Sequence, residues 1–261
     1  QTGSGTWQID TRIDGVNPAR LHTQMAAFPL DGTAKVSGEG AAIDFDVALQ
    51  GRDQRAAAPA RKGESAGEAL ARDLRALRLR DATATGRWLD GLLTLNTLRV
   101  RTDDAQLAGN ARLRPAADAL GGSADLTLTA PGATASVQGE GELQPTTGAG
   151  TLHAHIADAA RALAWAQKLP GADALAGASA RGSATLDGSW RGGWRDPTIQ
   201  AKLAAPSLDW LAPGSAAGTP PLQVRWLDAT ANGRLAQAEL AASGRVTQGE
   251  ANSAQEVELR V

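Results

Sequence analysis

Apolar and polar residues alternate with period two along most of the chain, most clearly from Gly177 to Trp210. Ala178, Ala180, Ala184, Leu186 and Trp190 fall on one parity. Ser179, Arg181, Ser183, Thr185, Asp187 and Ser189 fall on the other. Such alternation predicts a β-strand with one dry face and one wet face. The run Arg191 to Pro197 interrupts it with Gly and Pro, the strongest local breakers. The pattern resumes from Thr198 to Ala205, with Ile199, Ala201, Leu203 and Ala205 set against Thr198, Gln200 and Lys202. Strand, short turn and strand read most simply as an antiparallel hairpin.

The rest of the chain varies this unit. Trp7, Ile9 and Ile13 predict a first strand, and Leu21 to Ala27 a second, stopped by Phe28-Pro29. Leu30-Asp31-Gly32 reads as a turn, because Asp-Gly favours hairpin turns. Ala34, Val36 and Gly38 alternate with Thr33, Lys35 and Ser37. Ile43, Phe45, Val47 and Leu49 then alternate with Asp44 and Asp46. Residues 51–73 are rich in Ala, Arg, Glu and Gly, with Leu70 their one large apolar residue. They read as a charged flexible insertion, with a short helix over 66–72 as the candidate element.

Beyond it, Leu77 and Leu79 lead into a strand over 82–86. Trp88-Leu89-Asp90-Gly91 turns into Leu92 to Arg101. That strand changes phase between Leu95 and Leu98, as a β-bulge would require. Further strands are predicted over 107–113, 124–130, 133–143 and 150–156. Asp158 is a natural helix N-cap, Ala162, Trp165, Ala166 and Leu169 follow at helical spacing, and Pro170-Gly171 ends the run. After the central hairpin come strands over 222–231, 235–246 and 255–261, with a loop over 214–221. The expectation is about 15 strands and one short helix. The expected fold class is all-β: an elongated, curled, mainly antiparallel sheet with an apolar groove. It is read as one continuous domain: sheet segments over 1–50, 74–157 and 171–261, the insertion 51–73 and the helix 158–170. A parallel β-helix is the other architecture that frequent short strands allow, and the Asp-Gly turns favour hairpins over it.

Composition sharpens this picture. Hydrophobic residues are 42% of the 261, yet aromatics are only 3%, with no Tyr, two Phe and seven Trp. Apolar volume must come from Ala, Leu and Val, which suits a shallow sheet face better than a thick core. The net charge of −2 offers no electrostatic basis for binding nucleic acid. Cysteine is absent, which removes disulfides, thiolate zinc sites and thiol nucleophiles together. No run approaches 18 apolar residues. The chain opens at Gln1 and closes in mid-pattern, so it reads as a segment whose anchor lies outside it.

Candidate chemistry is sparse. His153 and His155 share a strand face, but no third metal ligand stands near them in sequence. Glu140 and Glu142 share a face, as do Asp44 and Asp46, and the alternation makes them outward charges that keep a sheet soluble. No nucleophile elbow, phosphate loop or His-Glu-x-x-His motif occurs. No catalytic residue, metal site or cofactor is therefore expected, and the chain is not expected to be an enzyme. Trp88, Trp190, Trp194, Trp210 and Trp226 sit in or beside strands. They suit strand-end packing over an apolar groove, or else a carbohydrate platform.

Several short runs now meet a known family. Leu169-Pro170-Gly171, Leu175-Ala176-Gly177, Leu186-Asp187-Gly188-Ser189-Trp190 and Asp196-Pro197-Thr198-Ile199-Gln200-Ala201-Lys202-Leu203 resemble the repeated hairpins of the TamB (AsmA-like) proteins of Gram-negative bacteria. Trp88 to Leu95, followed by Asp103 to Leu113, is similar to another. The likeness covers residues 74–250 and leaves out the insertion. It implies a taco-like sheet, open along one side, in a periplasmic protein anchored in the inner membrane. It also implies work with an outer-membrane barrel partner in assembling outer-membrane proteins and autotransporters, and phospholipid transport between the membranes. Both the anchor and the partner-binding domain would lie outside this sequence. On this reading Leu126, Leu128, Val137, Leu186, Trp190, Ile199, Leu203, Leu240 and Val246 line a groove for phospholipid acyl chains or unfolded outer-membrane protein. The alternative is an extracellular β-helical adhesin or autotransporter passenger, which parallel coils would reveal.

Overall fold

A computed structural model describes residues 5–17, 29–52, 72, 75, 77–116, 119–141, 147–169, 172–193, 196–216, 218–248 and 255–260. These residues hold fourteen strands and the short helix α1 (Ala159–Ala166). The chain divides into two compact units, one of residues 1–115 with 168–170, the other of 116–167 with 171–261. In the first, β1 (Thr6–Val16), β2 (Leu30–Glu39), β3 (Ala42–Gly51), β4 (Asp81–Leu89), β5 (Leu92–Arg101) and β6 (Gln106–Ala116) form an antiparallel sheet in chain order. In the second, the same sequential antiparallel pairing joins β7 (Ala119–Ala130), β8 (Ala133–Gly141), β9 (Gly148–Ile156) and β10 (Ser179–Arg191). It continues through β11 (Thr198–Leu211), β12 (Leu222–Arg234), β13 (Glu239–Gln248) and β14 (Gln255–Arg260). The fold is therefore all-β, with open antiparallel sheets and one short helix. The parallel β-helix is ruled out, because every described strand pair is antiparallel.

Local chemistry explains the turns and bends. The β4–β5 turn places Asp90 at φ 48° and Gly91 at φ 76°, the two left-handed residues of a type I′ hairpin. Register slips occur in β5 between Leu95 and Leu98, where the phase of its leucines changes. They recur in β10 between Ser183 and Thr185 and in β12 between Arg225 and Asp228. Each slip adds bend and twist to its sheet.

Several expected boundaries move. Leu30-Asp31-Gly32 is not a turn: all three lie in β2. The Asp-Gly pair instead serves a bulge in β1, where Gly15 has φ 58° and donates its N–H to Asp31 Oδ1 at 2.6 Å. A Cβ on Gly32 would strike the carbonyl of Ala48, so glycine lets two strands approach closely there. Leu235 is not in a strand; residues 235–237 form a 3-10 turn and β13 starts at Glu239. β11 does not end at Ala205 but passes through Pro206 to Leu211. The helix stops at Ala166, capped by Gln167, so Leu169 falls beyond it. Gln167 Nε2 donates to the carbonyls of Leu175 and Ala178 at 2.8 and 2.9 Å, which turns the chain into β10 before Pro170 can act as the stop. The expected strand over 21–27 lies outside the described residues, as does most of the insertion 51–73. Gly51 itself closes β3.

Candidate functional site

Register settles which side chains share a face of the second unit. One row of directly opposed residues runs Leu126, Val137, Leu152, Gly188, Ala201, Ala231 and Leu240, from β7 to β13. The next runs Leu128, Ala135, Ala154, Leu186, Leu203, Ala229 and Ala242. A third contains Gly139, Gly150, Trp190, Ile199 and Gly233. Val246 faces Val224 on the same side. The nine residues expected along a groove thus lie on one face. Leu126–Val137, Leu186–Leu203 and Trp190–Ile199 are direct cross-strand pairs.

This face is only partly covered. Eight of the nine side chains are half-buried and Leu240 is 49% exposed. Of the ten described apolar residues that are buried, eight are alanines, and only Leu79 and Val224 are larger. In a sheet sealed by a second layer, the cross-strand Leu and Ile pairs would themselves be buried. Part of the cover comes from α1. Asp158 caps it by accepting from the N–H groups of Ala160 and Arg161 at 3.0 and 3.1 Å. The helix packs on β10, where Ala180 and Ala184 are buried, as is Ala178 just before it. Inside it, Trp165 Nε1 is buried with no hydrogen-bond partner.

A second device shelters the dry faces. Trp190 lies across Gly139 and Gly150, its neighbours in the third row, and a Cβ on either glycine would strike the indole. In the first unit Trp7 lies over Gly38, and Phe45 lies over Gly86 with its Cζ 2.6 Å from where a Cβ would sit. Both pairs are directly opposed in register. Glycine gives each ring a flat seat, so one aromatic can cover two or three strands.

The wet faces carry ion pairs. Lys202 meets Asp228 at 3.3 Å and Arg87 meets Asp44 at 3.5 Å, with Asp46 exposed nearby. Glu140 is exposed and Glu142 lies outside the described residues. His153 Nδ1 sits 2.8 Å from Asp187 Oδ1, with both side chains mostly in solvent. Among the described residues no group of three His, Asp or Glu could hold a metal ion. At one end of β3, β4 and β5 a shallow polar cleft of about 580 Å³ is lined by Gln50, Arg80, Asp81, Arg101 and Asp103. Arg101 binds Asp81 through Nε at 2.9 Å and through a terminal nitrogen at 2.6 Å, and this holds its proton more tightly than usual. Arg80 and Arg78 both donate to Asp103, and chiefly the hydrogen bond from Arg80 holds that carboxyl below the usual carboxylate range. These side chains satisfy one another, so the cleft acts as a clamp where the chain enters β4.

Comparison with family models, with curated proteins and with solved structures found no match. Sequence reasoning overlooked Leu152 and Ile156, which sit on the same face as the named nine. Their alternation with the histidines of β9 was the signal. The aromatic–glycine seats had no local signal, because each joins residues on different strands.

Proposed function

We propose that this chain is a stretch of a TamB-like bridge. Such a bridge is anchored in the inner membrane, crosses the periplasm and acts in outer-membrane biogenesis. Its dry face carries the acyl chains of phospholipid, or the apolar side chains of unfolded outer-membrane and autotransporter proteins. The inner-membrane anchor and the contact with an outer-membrane barrel belong to regions beyond this sequence. One observation carries the reading: cross-strand pairs of large apolar residues, Leu186–Leu203 and Trp190–Ile199 above all, are left half-exposed on one face. Contiguous apolar surface of this kind marks a binding function. The resemblance in the hairpin sequences supplies the cellular setting. The alternative of an extracellular β-helical passenger needs parallel coils, and the described pairs are antiparallel throughout. The test is photo-crosslinking in cells with a probe at Leu186 or Leu203 and, as controls, at Thr185 or Lys202. Lipid captured at the first pair and not at the second is the expected result. Equal capture on both faces, or none from a folded and expressed protein, overturns the proposal.

A further inference from the structure

Trp226 is out of place for a residue of a sheet's polar face. At 70% it is the most exposed of the large apolar side chains described. It lies within β12, which is hydrogen-bonded to β11 on one side and β13 on the other, so it guards no edge. The charged residues near it in β12 belong to the wet face. Arg225 binds Asp209 at 2.7 Å, and Asp228 pairs with Lys202. Its backbone is left-handed, with φ 51°, at the point where β12 slips register against β13. Left-handed backbone is cheap for Gly or Asn and costly for a bulky aromatic. A bulge alone would favour a different residue, and the indole adds nothing to the dry face. The fold therefore accounts for the bulge but not for the tryptophan.

Its surroundings indicate what the ring is for. The Arg245 guanidinium lies over the indole, 5.6 Å from the ring centroid and within cation–π range, which steadies the ring. Beside it the Arg225–Asp209 pair is part-exposed and offers planar donors and acceptors. We propose that Trp226 is a stacking platform for a pyranose ring of a glycan. The apolar C–H face of the sugar would lie on the indole, and its hydroxyls would meet Arg225 and Asp209. A purely apolar partner would want an apolar rim, whereas Arg225 precedes Trp226 in β12 and Arg245 lies over its ring. This site is on the opposite face from the one proposed for acyl chains and does not depend on it.

The test uses the whole chain and two soluble probes, the hexasaccharides of β-1,4-linked glucose and of β-1,4-linked N-acetylglucosamine, with isothermal titration calorimetry. Saturable binding of at least one is expected. Trp226→Gly should weaken it by at least about tenfold while leaving Tm unchanged or raised, because glycine relieves the left-handed backbone. Asp209→Asn should weaken it less. A structural role for the indole would instead lower Tm in Trp226→Gly. No saturable binding up to about 10 mM, unchanged binding in Trp226→Gly, or a fall in its Tm would each overturn the proposal. So would capture of a protein by a crosslinker at Trp226 without any saccharide binding.

Discussion

In the first unit the dry face is furnished with large side chains, of which Trp7, Ile9 and Trp88 remain exposed. Trp7, Ile43, Trp88, Leu93 and Leu113 share one row, with the Trp7 ring seated on Gly38. Ile9, Val36, Phe45 and Leu95 share the next, with Phe45 seated on Gly86. In the second unit the face changes character along β10. Under α1 it is alanine, fully buried; further along it is Leu186 and Trp190, half-exposed. A helix can approach a sheet closely only over small residues, so cover and residue size go together. Where no element covers the face, bulk and glycine seats stand in for a second layer, and apolar surface is left over. The leftover surface is what the proposed transport role uses.

The largest expected contrast is between the covered and uncovered parts of β10 and β11. Ala184→Arg should unfold the second unit, since a guanidinium would be buried and unpaired beneath the helix, at a cost of about 3–5 kcal/mol. Leu203→Arg, one row along, should cost only about 1 kcal/mol, because its head can extend to solvent. Chemical denaturation measures both, and equal losses would mean that the whole face is sealed. Next come the glycine seats. Gly150→Val and Gly86→Val should each cost about 1–3 kcal/mol. Besides the ring, each new side chain meets a strand carbonyl, of Gln138 and Thr94 respectively. Gly38→Ala should cost well under 1 kcal/mol, since Trp7 sits on the outermost strand of its sheet and can swing away.

A smaller effect separates the helix from the rest. Asp158→Ala removes two N-cap hydrogen bonds and should lower stability by about 1 kcal/mol. Hydrogen exchange should show the loss in α1 and in the first half of β10. The smallest effect belongs to the polar clamp of the first unit. The Asp103 carboxyl is held below its ordinary range by Arg80, so folding favours its charged form. That contribution is complete above the unfolded carboxyl value of about 4. It fades as pH falls through the lower folded value. Asp103→Asn should therefore lower stability slightly at neutral pH and flatten the acid limb of a stability–pH curve below about pH 4, the two proteins converging as pH falls.

Much of this was legible in the sequence. Period-two alternation located most strands, and the phase change between Leu95 and Leu98 located a bulge from one strand alone. The N-cap at Asp158 was equally local. Errors arose where the decisive partner was remote. Asp31-Gly32 looks like a turn until Gly15 of β1 and Arg52, just after β3, take the aspartate. The helix looked longer because the Gln167 bonds to Leu175 and Ala178 cannot be read from spacing. Trp226 looked like one more strand aromatic. Its exposure and left-handed backbone follow from a slip against β13, which no pattern within β12 announces.

Sequential strand order also bears on how the protein reaches its fold. Each strand finds its partner in the strand just before or after it in the chain, so most hairpins close short loops. Contact order is low for an all-β protein, and low contact order goes with fast folding. Each sheet can grow strand by strand as the chain is delivered, without waiting for a distant segment. The longest wait in the first unit is at β4, which pairs with β3 only after 29 intervening residues between Gly51 and Asp81. Loop closure costs grow only logarithmically, at about 0.6 kcal/mol per doubling of length. An insertion there slows zippering slightly and leaves its order unchanged.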